Sequence, residues 1–481
     1  MGDSGLKRKT AKGLLWGGIG NGSMQLLNLL YGIFLSRLLS PSDYGVVGAL
    51  TIFSATAGIF SESGFTLAIV NKKEVGDDDY NAVFWFNVAA GIFFYLLLFF
   101  LAPLIAAFYN QPEMVPLARF LFLGFFFGAL ATAPSAYFFR NLMVKTRSQV
   151  QICAIIVSGV SGVVCAFYGW GYWGIALQTV LYSATTALLL WAQSPWRPSF
   201  SFKWNSLKAL LPFSTKQLLT SLFTHINNNF FSVLLGRFYG MMQTGFYTQG
   251  SKWTTMGYST ISGMINSVGQ PVFRETGDDE ARLRRVFYKM LRFASFVSFP
   301  AMFGLAIISR ELIVISVTAK WLPCVPVMQI LCVWGAFMPI STLYANLFNS
   351  LGRPNIYMWN TIALGIAQLL CVMLSYPYGL NVMLVAYTAL NVMWLFVWHY
   401  FAYKHIRLSL WEVVKGITPY MTVSLAVMAV TWIATSAISG PVVSIIVKIT
   451  MAASLYSLLM WILKSVVFRE SVAYLKSQFK R

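Results

Sequence analysis

The chain divides into fourteen apolar runs, each about as long as a bilayer is thick, joined by short connections that carry most of its charge. A helical span of the hydrocarbon core needs about 20 mostly apolar residues. Runs broken by charge, proline or glycine fall at approximately 13–38, 44–68, 80–108, 115–138, 149–169, 172–193, 208–236, 244–272, 289–309, 325–349, 355–376, 380–402, 415–437 and 442–466. Water cannot be the solvent for such a chain. Hydrophobic residues make up 57% of it and charged ones 10%, against roughly 25% charged in a soluble domain. In lipid every backbone polar group must be satisfied internally, and runs of this length do so as helices. The sequence therefore predicts an all-α integral membrane protein of about fourteen transmembrane helices. The first run lacks a small-residue cleavage site behind a short core and reads as a retained span.

A net charge of +20 invites a nucleic-acid reading, but its distribution points to membrane orientation. Lys7, Arg8, Lys9 and Lys12 precede the first run, and alternate connections after it hold clusters such as Arg140, Lys145 and Arg147 or Arg282, Arg284 and Arg285. The intervening connections hold few cations: Arg37, Arg119, Arg237, Arg310 and Lys320. By the positive-inside rule both termini are cytoplasmic and the span count is even; twelve spans would require merging or demoting two runs. The five cysteines show no CxxC spacing and the three histidines have no carboxylates beside them, so no metal or cofactor is expected. No Walker A loop, nucleophile elbow, paired loop carboxylates or large extramembrane segment suggests an enzyme.

A faint internal repeat runs at an offset of 200 residues, pairing Asn28 with Asn228, Arg37 with Arg237 and Gly45 with Gly245. Gln25 falls opposite His225, Asn21 opposite Ser221 and Glu62 opposite Ser262. Six spans separate the copies, so they share one orientation and are related by an axis along the membrane normal. The expected organisation is two six-helix lobes, residues 1–206 and 207–403, followed by two additional helices and a cytoplasmic tail in 404–481.

Polar stripes mark the first helices of both copies. Asn21, Gln25 and Asn28 stripe the first span; Lys216, Gln217, Ser221, Thr224, His225 and Asn228 the seventh. In the eighth, Lys252, Thr255, Ser259, Ser262 and Asn266 form a ladder about 21 Å long. One reading is a water-filled chamber between the lobes, where amides and hydroxyls exchange hydrogen bonds with sugar hydroxyls and lysines hold phosphate. The other is helix-packing glue for the hydroxyls and amides and snorkelling for Lys216 and Lys252. Glu62, the main acid within a span, is either an ion-coupling group or a carboxylate near the cytoplasmic end of its helix. His225 is either a proton site or a neutral hydrogen-bonded ring. Arg37 and Arg237 close their helices, where the dipole favours a cation. Asp77–Asp79 caps the third span, and 278–293 is either an amphipathic surface helix or an extension of the ninth span.

The run Leu35-Ser36-Arg37-Leu38-Leu39-Ser40-Pro41-Ser42-Asp43-Tyr44-Gly45 resembles the polysaccharide-exporter branch of the multidrug/oligosaccharidyl-lipid/polysaccharide superfamily. Leu234-Leu235-Gly236-Arg237-Phe238-Tyr239-Gly240, Gly245-Phe246-Tyr247, Asn266 through Phe273, Phe299-Pro300 and Lys320-Trp321 carry the resemblance along nearly the whole chain. It is similar above all to the Wzx-type O-unit and capsule flippases. The resemblance implies two six-helix bundles, often with two extra spans, alternating between inward- and outward-open forms in the bacterial inner membrane. It implies passage of undecaprenyl-diphosphate-linked oligosaccharides, contact with membrane lipids, a possible polysaccharide polymerase partner and no nucleic acid. One departure is Phe231, where many relatives carry an Asp. The rivals are a cation-coupled multidrug antiporter, disfavoured because Glu62 is essentially the one embedded acid, and a membrane polymerase or ligase, which would need a long catalytic outer loop.

Overall fold

The computed structural model describes residues 22–62, 65–72, 74–141, 143–276 and 279–478, and their regular structure is entirely helical. Ten stretches among them are long and apolar enough to cross a membrane. Large apolar side chains such as Phe100, Phe167 and Leu374, each more than 70% exposed, are what lipid-facing surfaces carry. The helices group into two compact units, Met1–Gly245 and Phe246–Arg481.

The first unit holds α1 (22–38), α2 (Pro41–Glu62), α3 (Phe65–Asn71), α4 (Asp77–Tyr109), α5 (Met114–Leu121), α6 (Leu123–Arg140), α7 (Val144–Phe167), α8 (Trp173–Gln193), α9 (Trp204–Phe238) and the start of α10 (Gly240–Glu275). One expected span, 115–138, is interrupted at Phe122, between α5 and α6, and the described part of the run 44–68 is helical on α2 and α3. Ala106, Leu117, Ala118 and Phe122, all at most 2% exposed, form the centre of the core. Nearer the start of α4, Tyr80, Phe84, Trp191 and Trp196 pack ring on ring. α4 starts as expected at its acidic triplet: Asp79 accepts from the Gly76 amide at 3.2 Å in a capping box and pairs with Lys72 at 2.7 Å.

Small residues decide how closely these helices approach. A Cβ on Gly45 would sit 1.7 Å from the carbonyl oxygen of Met241, and one on Gly245 would sit 1.8 Å from that of Pro41. Gly45 and Gly245 are the pair the repeat aligns, and Pro41 and Met241 share the same offset of 200. The starts of α2 and α10 therefore cross backbone to backbone through repeat-related residues.

The second unit holds the rest of α10, α11 (Glu280–Val317), α12 (Cys324–Ser350), α13 (Pro354–Ser375), α14 (Leu380–Ile406), α15 (Leu410–Ala434), α16 (Pro441–Ile462) and α17 (Val466–Gln478). α11 is its axis, packing on α12, α15 and α16. Within the segment 278–293 the described helix from Glu280 is an extension of the ninth span rather than a surface helix, because Leu283, Phe287 and Leu291 are buried and the Phe287 ring packs against both Phe273 and Tyr344. The expected tail is helical over α17, where Lys289 pairs with Glu470 at 2.7 Å.

Candidate functional site

Of the twelve residues expected to line a chamber, Asn21 lies outside the described residues, and the side chains of Glu62, Lys216 and Gln217 do too. The other eight fall on α1, α9 and α10, and each helix shows the same arrangement. In α1, Gln25 and Asn28 are exposed, while Gly32, Leu35 and Ser36 farther along the same face are buried. In α9, Ser221 and His225 are half-buried and Asn228 exposed, while Phe231 and Leu235 are fully buried. The repeat thus pairs two exposed amides, Asn28 and Asn228, and two buried leucines, Leu35 and Leu235. In α10, residues 244–247 are buried, Lys252 is half-buried, and Thr255, Ser259 and Asn266 are exposed within an arc of about 40°. Ile261 and Ile265 point the other way and are buried.

An exposed amide on a bilayer-length helix is costly against acyl chains, so these faces suit water rather than lipid. α9 shows the contrast within one helix. Leu219, Phe223 and Ile226 are exposed at 44%, 37% and 37% and lie roughly 140–200° around from Ser221. One side suits water and the other lipid. Each wet face is open away from the α1–α2 and α9–α10 turns and covered towards them. Around those turns Ser36 donates to Gly32 O at 2.7 Å and its hydroxyl lies 3.0 Å from Tyr44 Oη, and Tyr109 donates to Ala49 O at 3.3 Å.

The individual roles separate. Lys252 lies twelve residues into α10, about 18 Å from its start, deeper than the run 244–272 suggests. Asn266 accepts from Asn346 Nδ2 of α12 at 3.0 Å, so this amide has a packing role on an exposed face. Ser259 donates weakly to Met256 O at 3.4 Å, and Asn229 Nδ2 donates to His225 O at 2.9 Å. Gln25 and Asn28 have no hydrogen-bond partner among the described residues. Arg237 donates to Phe108 O at 2.5 Å in the last turn of α9, the structural role expected of it. Phe231 is core.

Glu62 is not the one embedded acid. Glu311 of α11 takes Lys448 of α16 at 2.6 Å, their side chains only 15% and 8% exposed. Cutting the ninth run at Arg310 and Glu311 hid the acid. The signal was Lys448, a lone cation between Val447 and Ile449 in the fourteenth run, which requires a buried partner. Among the described residues no cluster of His, Cys, Asp and Glu could hold a metal ion, and the cysteines are free.

Helices of membrane-spanning length with one face suited to water, another to lipid and one end covered fit the class of multi-pass membrane transport proteins. Within that class the chain belongs to the family described as Polysaccharide biosynthesis protein, which it matches over residues 34–326. It is 27% identical to the lipopolysaccharide biosynthesis protein WzxC of Escherichia coli over 73% of this chain and 72% of that one. It is 23% identical to the teichuronic acid biosynthesis protein TuaB of Bacillus subtilis over 74% of each. Its fold is that of a lipid II flippase, MurJ, in an inward closed conformation, with a TM-score of 0.77 at 13% identity over 93% of this chain and 99% of that one. An inward-facing multidrug resistance transporter of the MATE family gives 0.64 at 18% identity over 80% and 94%. The chain is a multi-pass bacterial membrane protein of this superfamily.

Proposed function

We propose that this chain is a flippase that carries undecaprenyl-diphosphate-linked oligosaccharides across the bacterial inner membrane by alternating access. The observation that carries the reading is the repeated arrangement on α1, α9 and α10: exposed amides and hydroxyls that end in buried residues at one end of each helix. A face of this kind hydrogen-bonds sugar hydroxyls in either sense, and one covered end is what a single state of an alternating transporter requires. The names of the relatives, lipopolysaccharide and teichuronic acid biosynthesis, supply the substrate class.

In this reading the two lobes are 1–206 and 207–403, with 404–481 beyond them, and both termini are cytoplasmic. The α1–α2 and α9–α10 turns then lie outside, and the wet faces open inward. Asn21, Gln25, Asn28, Gln217, Ser221, His225, Asn228, Ser259 and Asn266 meet the glycan. Lys216 and Lys252 offset the charge of the diphosphate as point cations, and Glu62 balances them. The polyprenyl tail stays in lipid, no chemical bond is made or broken, and the exported glycan passes to polymerase machinery.

The test is Lys216→Ala and Lys252→Ala, each assayed for transport of the lipid-linked glycan at matched protein level. Losing one charge-assisted contact to phosphate lowers transport about tenfold or more; undiminished transport in both variants removes the cations from the mechanism. The likeness to a MATE transporter keeps a cation-coupled multidrug antiporter as the second reading. Drug resistance on overexpression that collapses in Glu62→Gln would favour it.

A further inference from the structure

A cavity of about 860 Å³ opens among α11, α12, α15 and α16, at the end where α11 stops and α16 starts. Arg310, Glu311, Gln329, Ser436, Ser439 and Lys448 give it its polar lining. An apolar groove of about 490 Å³ continues from it along α11 and α16, sharing Ile307 and Lys448 and running on past Pro300, Gly304 and Tyr456. The two together have the shape of an amphiphile, polar at one end and apolar beyond. Arg310 and Lys448 each lie seven residues from a helix end, Val317 and Pro441, about 10 Å inside it. From that depth the long arginine stem carries its guanidinium towards the head-group level.

The charges in the cavity do not balance. Lys448 is committed to Glu311 at 2.6 Å and to Ile307 O at 3.1 Å, and Ser444 donates to the same carboxylate oxygen at 3.2 Å. Arg310 is exposed and meets no acid or carbonyl among the described residues. One positive charge is therefore left over, at the head of an apolar groove and beside two loop hydroxyls, Ser439 and Ser436, the latter donating to Ile433 O at 2.8 Å and still able to accept.

We propose that this cavity and groove hold one anionic glycerophospholipid of the surrounding bilayer. Its phosphodiester sits on Arg310, its head-group hydroxyls on Ser436 and Ser439, and one acyl chain along the groove. A phosphodiester carries a single negative charge, which matches the single uncompensated cation. A zwitterionic head would bring its own ammonium into a cavity where Lys448 already neutralises Glu311. A diphosphate would leave a negative excess. No residue of α9 or α10 lines it, and the inference stands whatever the chain transports.

The experiment is native mass spectrometry of the purified full chain equilibrated with equimolar phosphatidylglycerol and phosphatidylethanolamine. One phosphatidylglycerol is retained about tenfold over phosphatidylethanolamine, the yield of one charge-assisted bond. Arg310→Ala abolishes the preference without moving the melting temperature, because Arg310 has no protein partner to lose, and Arg310→Lys restores part of it. Equal retention of the two lipids, or an unchanged preference in Arg310→Ala, overturns the proposal. So does displacement of the phosphatidylglycerol by an equimolar undecaprenyl diphosphate, which would make this a station for the carrier lipid.

Discussion

Gly45→Ala tests whether the crossing of α2 and α10 is a gate. The new Cβ would stand 1.7 Å from Met241 O and 2.5 Å from Met241 C, against an ordinary contact distance of at least 3.4 Å. Backbone atoms cannot swing aside as a side chain can, so the helices must part locally by about 1.7 Å, the difference between 3.4 and 1.7. Overpacking of this kind costs roughly 1–3 kcal/mol, and alanine returns about 1 kcal/mol through its helix propensity. The closed crossing is thus penalised by up to ~2 kcal/mol, a shift of up to roughly 30-fold in favour of any state in which the crossing is parted. The assay is a cysteine at Leu35, which is 2% exposed, introduced as Leu35→Cys with Cys153→Ser and labelled by a membrane-impermeant maleimide from the outer side. Adding Gly45→Ala raises the labelling rate towards that factor, and Gly245→Ala does the same from the other helix. If labelling stays at the parent rate while the melting temperature falls, the crossing is a static contact and the reasoning fails.

Two further outcomes follow from the buried polar pairs. Lys448→Ala leaves Glu311 buried without its cation and costs about 3–5 kcal/mol, while Glu311→Gln with Lys448→Met recovers most of it; equal thermal melting of the single and double variants would refute this. Asn266→Ala leaves the amide of Asn346, 7% exposed, without its acceptor and lowers stability by about 1–3 kcal/mol, whereas Ser259→Ala, on the same face, leaves melting unchanged.

Hydropathy alone located the long helices, because a bilayer imposes one length on every span. The offset of 200 found Gly45 and Gly245 before their contact was visible, since a backbone crossing tolerates only the smallest residue on both sides. It did not show that they touch each other, as alignment reports equivalence and not proximity. The covered ends of α1 and α9 were illegible for another reason. Leu35 and Leu235 look the same in sequence whether they face acyl chains or neighbouring helices. Glu311 was lost to a boundary rule that treats any charge as an exit from the membrane, although a charge with a partner on another helix can stay inside.

The pairing of Glu311 with Lys448 also bears on how the chain is made. The partners are 137 residues apart, so at ribosomal speeds of about 5–20 residues per second the acid waits roughly 7–27 s for its cation. Until α16 emerges, an uncompensated carboxylate marks the nascent chain as unfinished. α16 in turn carries a lysine that opposes its own release into lipid by about 2.5–3.5 kcal/mol. Release is favourable only against an α11 already in place. The last helices thereby become a check on biogenesis, and a chain truncated before Lys448 offers quality-control proteases a lasting target.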